Sequence, residues 1–160
     1  MNSSKSTLLN AIFPSEGGAW GGTPQLYFDG CSKGNPGRAG AGAVIYKNKN
    51  TLNPTGELYT HSKFVGEKET NNVAEYTGLV IGLKDAIQLK IKNLDVNGDS
   101  LLVIRQMKGE YQVKSPSLLK LYQEAKTLEK QFDTITYNHV YRTDNKKADA
   151  LANEALANDA

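Results

Sequence analysis

The periodicity of the apolar residues changes near residue 70, and this change limits the folds open to the chain. Between residues 24 and 65, three runs rich in strand formers are separated by glycine-rich or polar turns. Thr70 is predicted to be a helix N-cap, and after it apolar residues recur at intervals of three and four, which is typical of helices. Three consecutive strands followed by alternating helices and strands predict an α/β domain with a mixed sheet and helices on its faces.

The predicted elements form one domain, as expected for a chain of 160 residues. Strands are predicted at 25–29, 39–46, 56–65, 94–97 and 134–141, and helices at 70–90, 101–108, 117–130 and after Asp144. We therefore expect a five-stranded mixed sheet in a domain that spans residues 24–160. Residues 1–23 are polar and glycine-rich and are predicted to be a flexible tail, with a short helix at 7–13 as an alternative.

Composition indicates the cellular compartment more clearly than the function. Lys and Arg together number 19 and Asp and Glu 17, and a net charge of +2 is too small to identify a nucleic-acid partner. The sole cysteine, Cys31, cannot form an internal disulfide, which favours a reducing compartment. The apolar stretch from Leu8 to Phe13 is too short to cross a membrane. We expect a cytoplasmic monomer with no membrane partner and no small-molecule cofactor.

Four carboxylates occupy the positions where an α/β sheet would gather a ligand. Asp29 and Asp99 each end a predicted strand, Glu75 lies early in a predicted helix, and Asp149 lies in the second turn of the last helix. Ligands of open α/β sheets collect at the carboxyl ends of the strands. The strands that end near Asp29 and Asp99 are expected to be neighbours in the sheet. Taken singly, each acid would be a solvated charge or a helix cap. Together, oxygen ligands without cysteine or histidine suit Mg²⁺ or Mn²⁺, and two such ions support phosphodiester hydrolysis.

The residues that flank these carboxylates form four motifs. They are YFDGCSKGNPG at 27–37, ETNNVAE at 69–75, NGDS at 97–100 and HVYRTDNKKADALA at 139–152. In this order the motifs resemble those of the ribonuclease H type 1 family, over roughly residues 25–157. The resemblance implies a ribonuclease H-like fold and an endoribonuclease that hydrolyses the RNA strand of RNA–DNA hybrids. The products implied have 5′-phosphate and 3′-hydroxyl ends.

The resemblance also implies a role for each catalytic residue. Asp29 would contact both of two Mg²⁺ ions, for which Mn²⁺ could substitute. Asp149 would complete the site of the ion that activates the attacking water. Glu75 and Asp99 would complete the other site, near the leaving 3′ oxygen. His139 would lie on a mobile loop and assist the water or product release, although a histidine at a strand end can also simply bond to backbone.

A substrate-binding set follows from the same resemblance, because telling RNA from DNA requires contacts to the 2′-hydroxyl. Thr70 and Asn35 are expected to hold a phosphate of the DNA strand, since helix N-termini favour anions. In the alternative interpretation, Asn71 and Asn72 only cap the helix and the loop residues only make the turn. The predicted set is Gly30, Ser32, Asn35, Thr70, Asn71, Asn72 and Asn145.

The chain departs from some members of the family in ways that affect substrate binding. Leu101 follows the third motif, where many members have a polar residue that contacts RNA. The segment 110–116 is short and lacks the basic insertion that grips the DNA strand in some members. No N-terminal hybrid-binding module is recognisable. The sequence therefore resembles the short form of the family, and weaker hybrid binding is predicted.

Two other functions share this fold. A catalytically inactive hybrid-binding module would be indicated by loss of a metal carboxylate, whereas all four are present here. A two-metal nuclease acting on DNA alone would not be expected to combine the TNN and GNPG motifs. A cleavage assay on hybrid and pure DNA substrates separates these hypotheses.

Overall fold

The structure is a computed structural model that describes residues 4–8, 21–49 and 56–158. The strands are β1 (Ser4–Leu8), β2 (Gln25–Lys33), β3 (Gly37–Tyr46), β4 (Glu57–Glu69), β5 (Asn93–Gly98) and β6 (Thr134–His139). The helices are α1 (Asn71–Gln88), α2 (Leu101–Met107), α3 (Pro116–Glu129) and α4 (Lys146–Asn158), with a 3₁₀ turn at Arg142–Asp144. Within these residues, no helix combines the length and apolar character that crossing a membrane requires.

All six strands form one mixed sheet in the order β1-β4-β3-β2-β5-β6. The pairs of β2 with β3, β3 with β4, and β1 with β4 are antiparallel. The pairs of β2 with β5 and of β5 with β6 are parallel. The predicted α/β class and mixed sheet are confirmed, and β2 and β5 are neighbours as expected, but the sheet has a sixth strand.

The additional strand, β1, corrects the prediction for the N-terminal region. Thr7 and Leu8 belong to β1 instead of a helix, and β1 pairs with β4 along its whole length. A side-chain contact reinforces the pairing: the Ser4 Oγ lies 2.5 Å from His61 Nε2, and His61 Nδ1 lies 2.8 Å from Asp85 Oδ2 in α1. No strand was predicted here, because this short and mostly polar segment has little hydrophobic periodicity. Residues 1–3 and 9–20 of the predicted tail, which include 9–13 of the alternative helix, lie outside the described residues.

Helix α1 begins after a side-chain N-cap and ends before a residue with a left-handed backbone conformation. The Thr70 Oγ1 accepts a hydrogen bond from the Val73 N–H at 3.2 Å, which confirms the predicted N-cap. Lys90, just beyond the helix, has a φ of 66°, in the left-handed region where helices commonly terminate. The buried side of α1 carries Tyr76, Leu79 and Leu83. These side chains anchor the helix on the sheet.

Two apolar layers lie on opposite faces of the sheet. The larger layer packs β2, β3 and β5 against α1, and includes Leu26, Phe28, Ile45, Leu79, Leu83 and Val96. The smaller layer packs β3 against α4, and consists of Val44, Tyr46, Ala148 and Leu151, with Tyr27 against it. Burial of each large aliphatic side chain contributes about 1.5–3 kcal/mol. The two layers therefore fix α1 and α4 on the two sides of the β2–β3 pair.

Helix α4 lies very close to β3, and Gly42 permits that approach. A Cβ at Gly42 would lie 2.4 Å from the Ala148 carbonyl oxygen and 2.7 Å from the Leu151 Cβ. Both distances are below what real Cβ atoms tolerate, so the helix would have to move. The first turn of α4, which carries Asp149, depends on this packing for its position.

We predict that Gly42→Ala lowers the free energy of unfolding by about 1–3 kcal/mol, because overpacking forces backbone shifts of this cost. Urea denaturation measures the change. The control is Gly66→Ala in β4, where the added Cβ meets only the flexible side chain of Glu69. Equal stabilities of the two variants would contradict the close packing of α4 on β3.

Candidate metal and substrate site

Three of the predicted carboxylates converge where β2 separates from β5. The parallel pairing of these strands ends at Phe28 and Gly98, so that Asp29 and Asp99 emerge side by side. Glu75, in the second turn of α1, reaches the same point, and one oxygen from each of the three carboxylates lies within 4.8 Å of the others. In the parts of the chain that the structure describes, this group has three members. The predicted gathering of acids at the sheet edge is present.

The prediction that the strand ends at Asp29 was wrong. Strand β2 continues to Lys33, because Gly30 to Ser32 stay paired with β3 after β2 has left β5. The turn itself is limited to residues 34–36. Asp29 is thereby held by backbone on one side while its carboxylate faces the opening on the other.

Gly30 permits the close contact that brings α1 to this opening. A Cβ at Gly30 would lie 2.2 Å from the carbonyl carbon of Ala74 and 2.3 Å from the Glu75 nitrogen. Any side chain here would separate α1 from β2. The glycine therefore sets the distance between Asp29 and Glu75.

Burial and repulsion by neighbouring carboxylates disfavour the charged forms of Asp29 and Glu75. Asp29 is only 5% exposed, and burial, followed by the charge of Asp99, raises its pKa to about 8. Glu75 and Asp149 raise that pKa further, whereas the Gly30 N–H, 2.8 Å from Oδ1, lowers it. A carboxyl group whose pKa is raised this far lacks a compensating positive charge.

The pKa of Glu75 is raised to about 7, mainly by burial and also by Asp99. Two neighbours oppose this shift: a hydrogen bond from Ser100 and the positive charge of Arg142. The Ser100 hydroxyl also accepts a hydrogen bond from the Val103 N–H and so caps α2. Ser100 thus joins the start of α2 to the carboxylate cluster.

Asp149 approaches the cluster from the other face of the sheet. It lies in the first turn of α4, and its charge is among those that raise the pKa of Asp29. Asp149 is not in the group whose oxygens lie within 4.8 Å. The structure therefore brings three of the predicted ligands together and places the fourth beside Asp29.

A concavity of about 500 Å³ opens over the three carboxylates. One wall is the end of β2 with Asn71 of α1, and the other is the segment after β6. The lining residues are Asp29, Gly30, Cys31, Ser32, Lys33, Asn71, Glu75, Asp99, His139, Val140, Tyr141 and Arg142. His139 and three predicted substrate-binding residues therefore share one surface with the acids.

The other predicted substrate contacts are organised by hydrogen bonds between the turn and the start of α1. The Asn71 side chain accepts from the Ser32 N–H at 2.7 Å, and the Asn35 side chain accepts from the Asn71 N–H at 2.9 Å. Thr70 is exposed and caps α1, and Asn72 is half-buried in its first turn. The cap of α1 is Thr70, so Asn71 and Asn72 lie inside the helix, and of these residues Asn71 lines the concavity. Their contact with a substrate stays a prediction.

Asn145 departs from the predicted substrate-binding role. It is only 2% exposed, and its Nδ2 donates to the Phe28 carbonyl oxygen at 2.9 Å. This bond ties the segment before α4 to β2, one residue before Asp29. Asn145, and not Asp144 as predicted, directly precedes α4, since the Asp149 N–H donates to its carbonyl at 3.1 Å. The buried Asn145 side chain therefore helps to hold the backbone next to Asp29 in place.

Sequence reasoning overlooked Tyr141 and Lys33. Tyr141 is 75% exposed although it lines the concavity, and its ring lies 6.1 Å from that of His139. The ring is therefore accessible on the wall of the concavity. Its signal in the sequence was an aromatic residue in the otherwise polar segment 141–147. Lys33 lies on the opposite wall and carries a positive charge.

Comparison with known proteins identifies the class and then the family. The family model described as "Reverse transcriptase-like" matches residues 27–155. The N-terminal RNase H domain of Rv2228c from Mycobacterium tuberculosis superposes with a TM-score of 0.77 at 44% identity, covering 85% of this chain and 94% of that domain. RNase H1 of Halobacterium salinarum gives 0.76 at 36% identity, covering 86% and 99%. These similarities define a domain of the ribonuclease H-like class.

A third structure, LC11-RNase H1 in complex with an RNA/DNA hybrid, gives a TM-score of 0.76 at 32% identity, covering 85% of this chain and 98% of that one. The chain belongs to the ribonuclease H type 1 family, as its motifs predicted. It spans 34% of full-length Rv2228c, to which it is 47% identical over 128 residues, or 80% of this chain. It spans 65% of the Halobacterium ribonuclease HI.

We predict that the metal-free protein loses stability as pH rises. The ordinary carboxyl pKa is about 4, whereas Asp29 and Glu75 have pKa values of about 8 and about 7 when folded. Between these values the folded state binds more protons than the unfolded state, so the free energy of unfolding falls. Urea denaturation in EDTA at pH 5 and pH 8 measures the loss.

Mg²⁺ should reduce this loss at pH 8, because a cation favours the charged carboxylates. Asp29→Asn should reduce it without added metal, since the amide has no proton to lose. A loss of stability that is the same in the wild type and in Asp29→Asn would show that other groups cause it.

Proposed function

We propose that this domain hydrolyses the RNA strand of RNA–DNA hybrids by a two-metal-ion reaction that leaves 5′-phosphate and 3′-hydroxyl ends. The observation that carries the proposal is the convergence of Asp29, Glu75 and Asp99 within 4.8 Å beneath an open concavity. Support comes from the family, in which LC11-RNase H1 has been crystallised with an RNA/DNA hybrid.

The donor set fits Mg²⁺, with Mn²⁺ as a substitute. Its ligands are carboxylate oxygens, which these hard cations prefer. Burial, followed by repulsion between the carboxylates, raises the pKa values of Asp29 and Glu75, and a cation would favour their charged forms. Asp29, Glu75, Asp99 and Asp149 would hold the ions. When bound, such ions supply an activated water and stabilise the leaving oxygen of an in-line displacement.

The chain's own residues account for hybrid recognition. Gly30 and Ser32 at the end of β2 and Asn71 in the first turn of α1 line the concavity. Their donors and acceptors can contact the 2′-hydroxyls that distinguish the RNA strand. Lys33 and Arg142 add positive charge for phosphates on two sides of the carboxylates. Thr70 and Asn35 lie at the N-terminus of α1, where a DNA-strand phosphate would bind.

His139, on the opposite wall of the concavity, is proposed to assist proton transfer. Its ring is exposed in the concavity and lies on the side that carries Tyr141 and Arg142. An imidazole here can accept a proton from the attacking water or donate one to the departing product. The connection between α2 and α3 consists only of residues 108–115, which supports weak hybrid binding. The proposal includes a monomeric domain in a reducing cytoplasm.

A cleavage assay on one labelled sequence tests the proposal. The sequence is offered as RNA–DNA hybrid, double-stranded RNA and double-stranded DNA, with Mg²⁺ or EDTA. We expect cutting of the RNA strand of the hybrid alone, abolished by EDTA. In Asp29→Asn, kcat should fall on the order of 100-fold or more, since loss of metal stabilisation costs several kcal/mol.

The control is Asp133→Asn, the same substitution at an exposed turn before β6. It should cut at the wild-type rate. Hybrid binding without cutting in either Mg²⁺ or Mn²⁺ would refute the enzyme in favour of an inactive binding module. Cleavage of DNA with hybrids left intact would refute the substrate.

Tyr141→Ala should raise KM for the hybrid roughly fivefold with little change in kcat, which corresponds to loss of a binding contact of about 1 kcal/mol. Tyr141→Phe should retain most of the affinity, because the ring supplies the contact area. Steady-state kinetics with Tyr111→Ala as the control, another exposed tyrosine that does not line the concavity, measures the effect. An unchanged KM in Tyr141→Ala would exclude this ring from the substrate surface.

A further inference from the structure

Asn153 links two groups that border the carboxylate cluster. It lies one helical turn after Asp149 in α4, and its Nδ2 donates to Asp149 Oδ1 at 3.3 Å and to the Asp149 carbonyl at 2.9 Å. Its Oδ1 accepts a hydrogen bond from Lys33 Nζ at 2.9 Å. The Cys31 thiol lies 3.8 Å from the same oxygen. One amide therefore joins α4 to the end of β2 at the edge of the concavity.

The chemistry of the amide group suits this double contact. A primary amide carries donors on nitrogen and acceptor lone pairs on oxygen, so it can serve an anion and a cation at once. A carboxylate at this position would repel Asp149, and an ammonium would repel Lys33. The spacing of four residues places the side chains of Asp149 and Asn153 on one face of α4.

We propose that Asn153 is a positioning residue that orients the Asp149 carboxylate toward Asp29 and holds the Lys33 ammonium at the edge of the site. The inference rests on the proposed function, in which Asp149 is a metal ligand. Partners that orient a ligating carboxylate typically change metal affinity by about 10–100-fold when removed. Asn153 thus sets ion affinity through Asp149 and substrate affinity through Lys33.

A role in helix stability alone would give a different result. The contact from Asn153 to the Asp149 carbonyl lies within α4 and could only stabilise that helix. Leucine is close to asparagine in size and is a better helix former. Asn153→Leu therefore removes the contacts to Asp149 and Lys33 without weakening the intrinsic preference for helix.

The experiment measures Mn²⁺ binding to the whole protein by calorimetry, without substrate. We expect Asn153→Leu to bind Mn²⁺ roughly tenfold more weakly than the wild type, with an equal or higher midpoint of urea unfolding. Asn153→Gln, which keeps both polar groups on a longer side chain, should recover part of the affinity. Asn93→Leu is the control, because Asn93 lies at the opposite end of β5 from the site.

Lys33→Met tests the contact of Asn153 with Lys33 separately from its contact with Asp149. Loss of the nearby positive charge should leave Mn²⁺ affinity unchanged or raise it, while KM for the hybrid rises. Wild-type Mn²⁺ affinity in Asn153→Leu would overturn the proposal, and so would equal loss of affinity in Asn153→Leu and Lys33→Met. A wild type that binds no Mn²⁺ would also contradict it.

The failure of the proposed function is distinguishable from these outcomes. A wild type that binds Mn²⁺ but does not cut the hybrid would refute the nuclease and leave the positioning role to be decided by the binding data. A wild type that cuts the hybrid, with Asn153→Leu binding Mn²⁺ normally, would refute the positioning role alone.

Discussion

The close approach of two helices to the centre of the sheet determines where the carboxylates lie. At Gly30 and Gly42 an added Cβ would collide with the backbone of α1 and of α4, respectively. With glycine at both positions, α1 and α4 lie against opposite faces of the β2–β3 pair, and the two apolar layers hold them there. Glu75 and Asp149 then approach Asp29 from two sides. The site is thus a consequence of backbone packing as much as of the acidic residues themselves.

This packing has an electrostatic cost that the protein offsets only in part. Burial and repulsion raise the pKa values of Asp29 and Glu75 to about 8 and about 7. The Gly30 N–H, Ser100 and Arg142 each favour a charged form, but they do not restore ordinary values. Stabilising the ionised cluster requires further positive charge, which divalent cations would supply. Because metal binding and deprotonation involve the same carboxylates, metal binding should change how the free energy of unfolding depends on pH.

Sequence reasoning predicted the α/β class, the neighbouring strands and the convergence of Asp29, Glu75 and Asp99, because hydrophobic periodicity and motif order carry that information. It missed β1, whose short polar segment has little periodicity. It misplaced the end of β2, because a glycine-rich run can remain paired in a sheet. It assigned Asn145 to the substrate, whereas the burial of that side chain depends on tertiary packing. The Lys33–Asn153 contact joins residues distant in sequence, so only the fold shows it.

The central claim is that these carboxylates lie against the RNA strand of a bound hybrid. A crystal structure of Glu75→Gln with Mg²⁺ and an RNA–DNA hybrid tests it most directly, since this variant keeps the other three acids. We predict that an RNA phosphate lies beside Asp29 and Asp99, with 2′-hydroxyls facing Ser32 and Asn71. The DNA strand should lie near the N-terminus of α1. A hybrid bound on another face, or with its DNA strand over Asp29, would contradict the account.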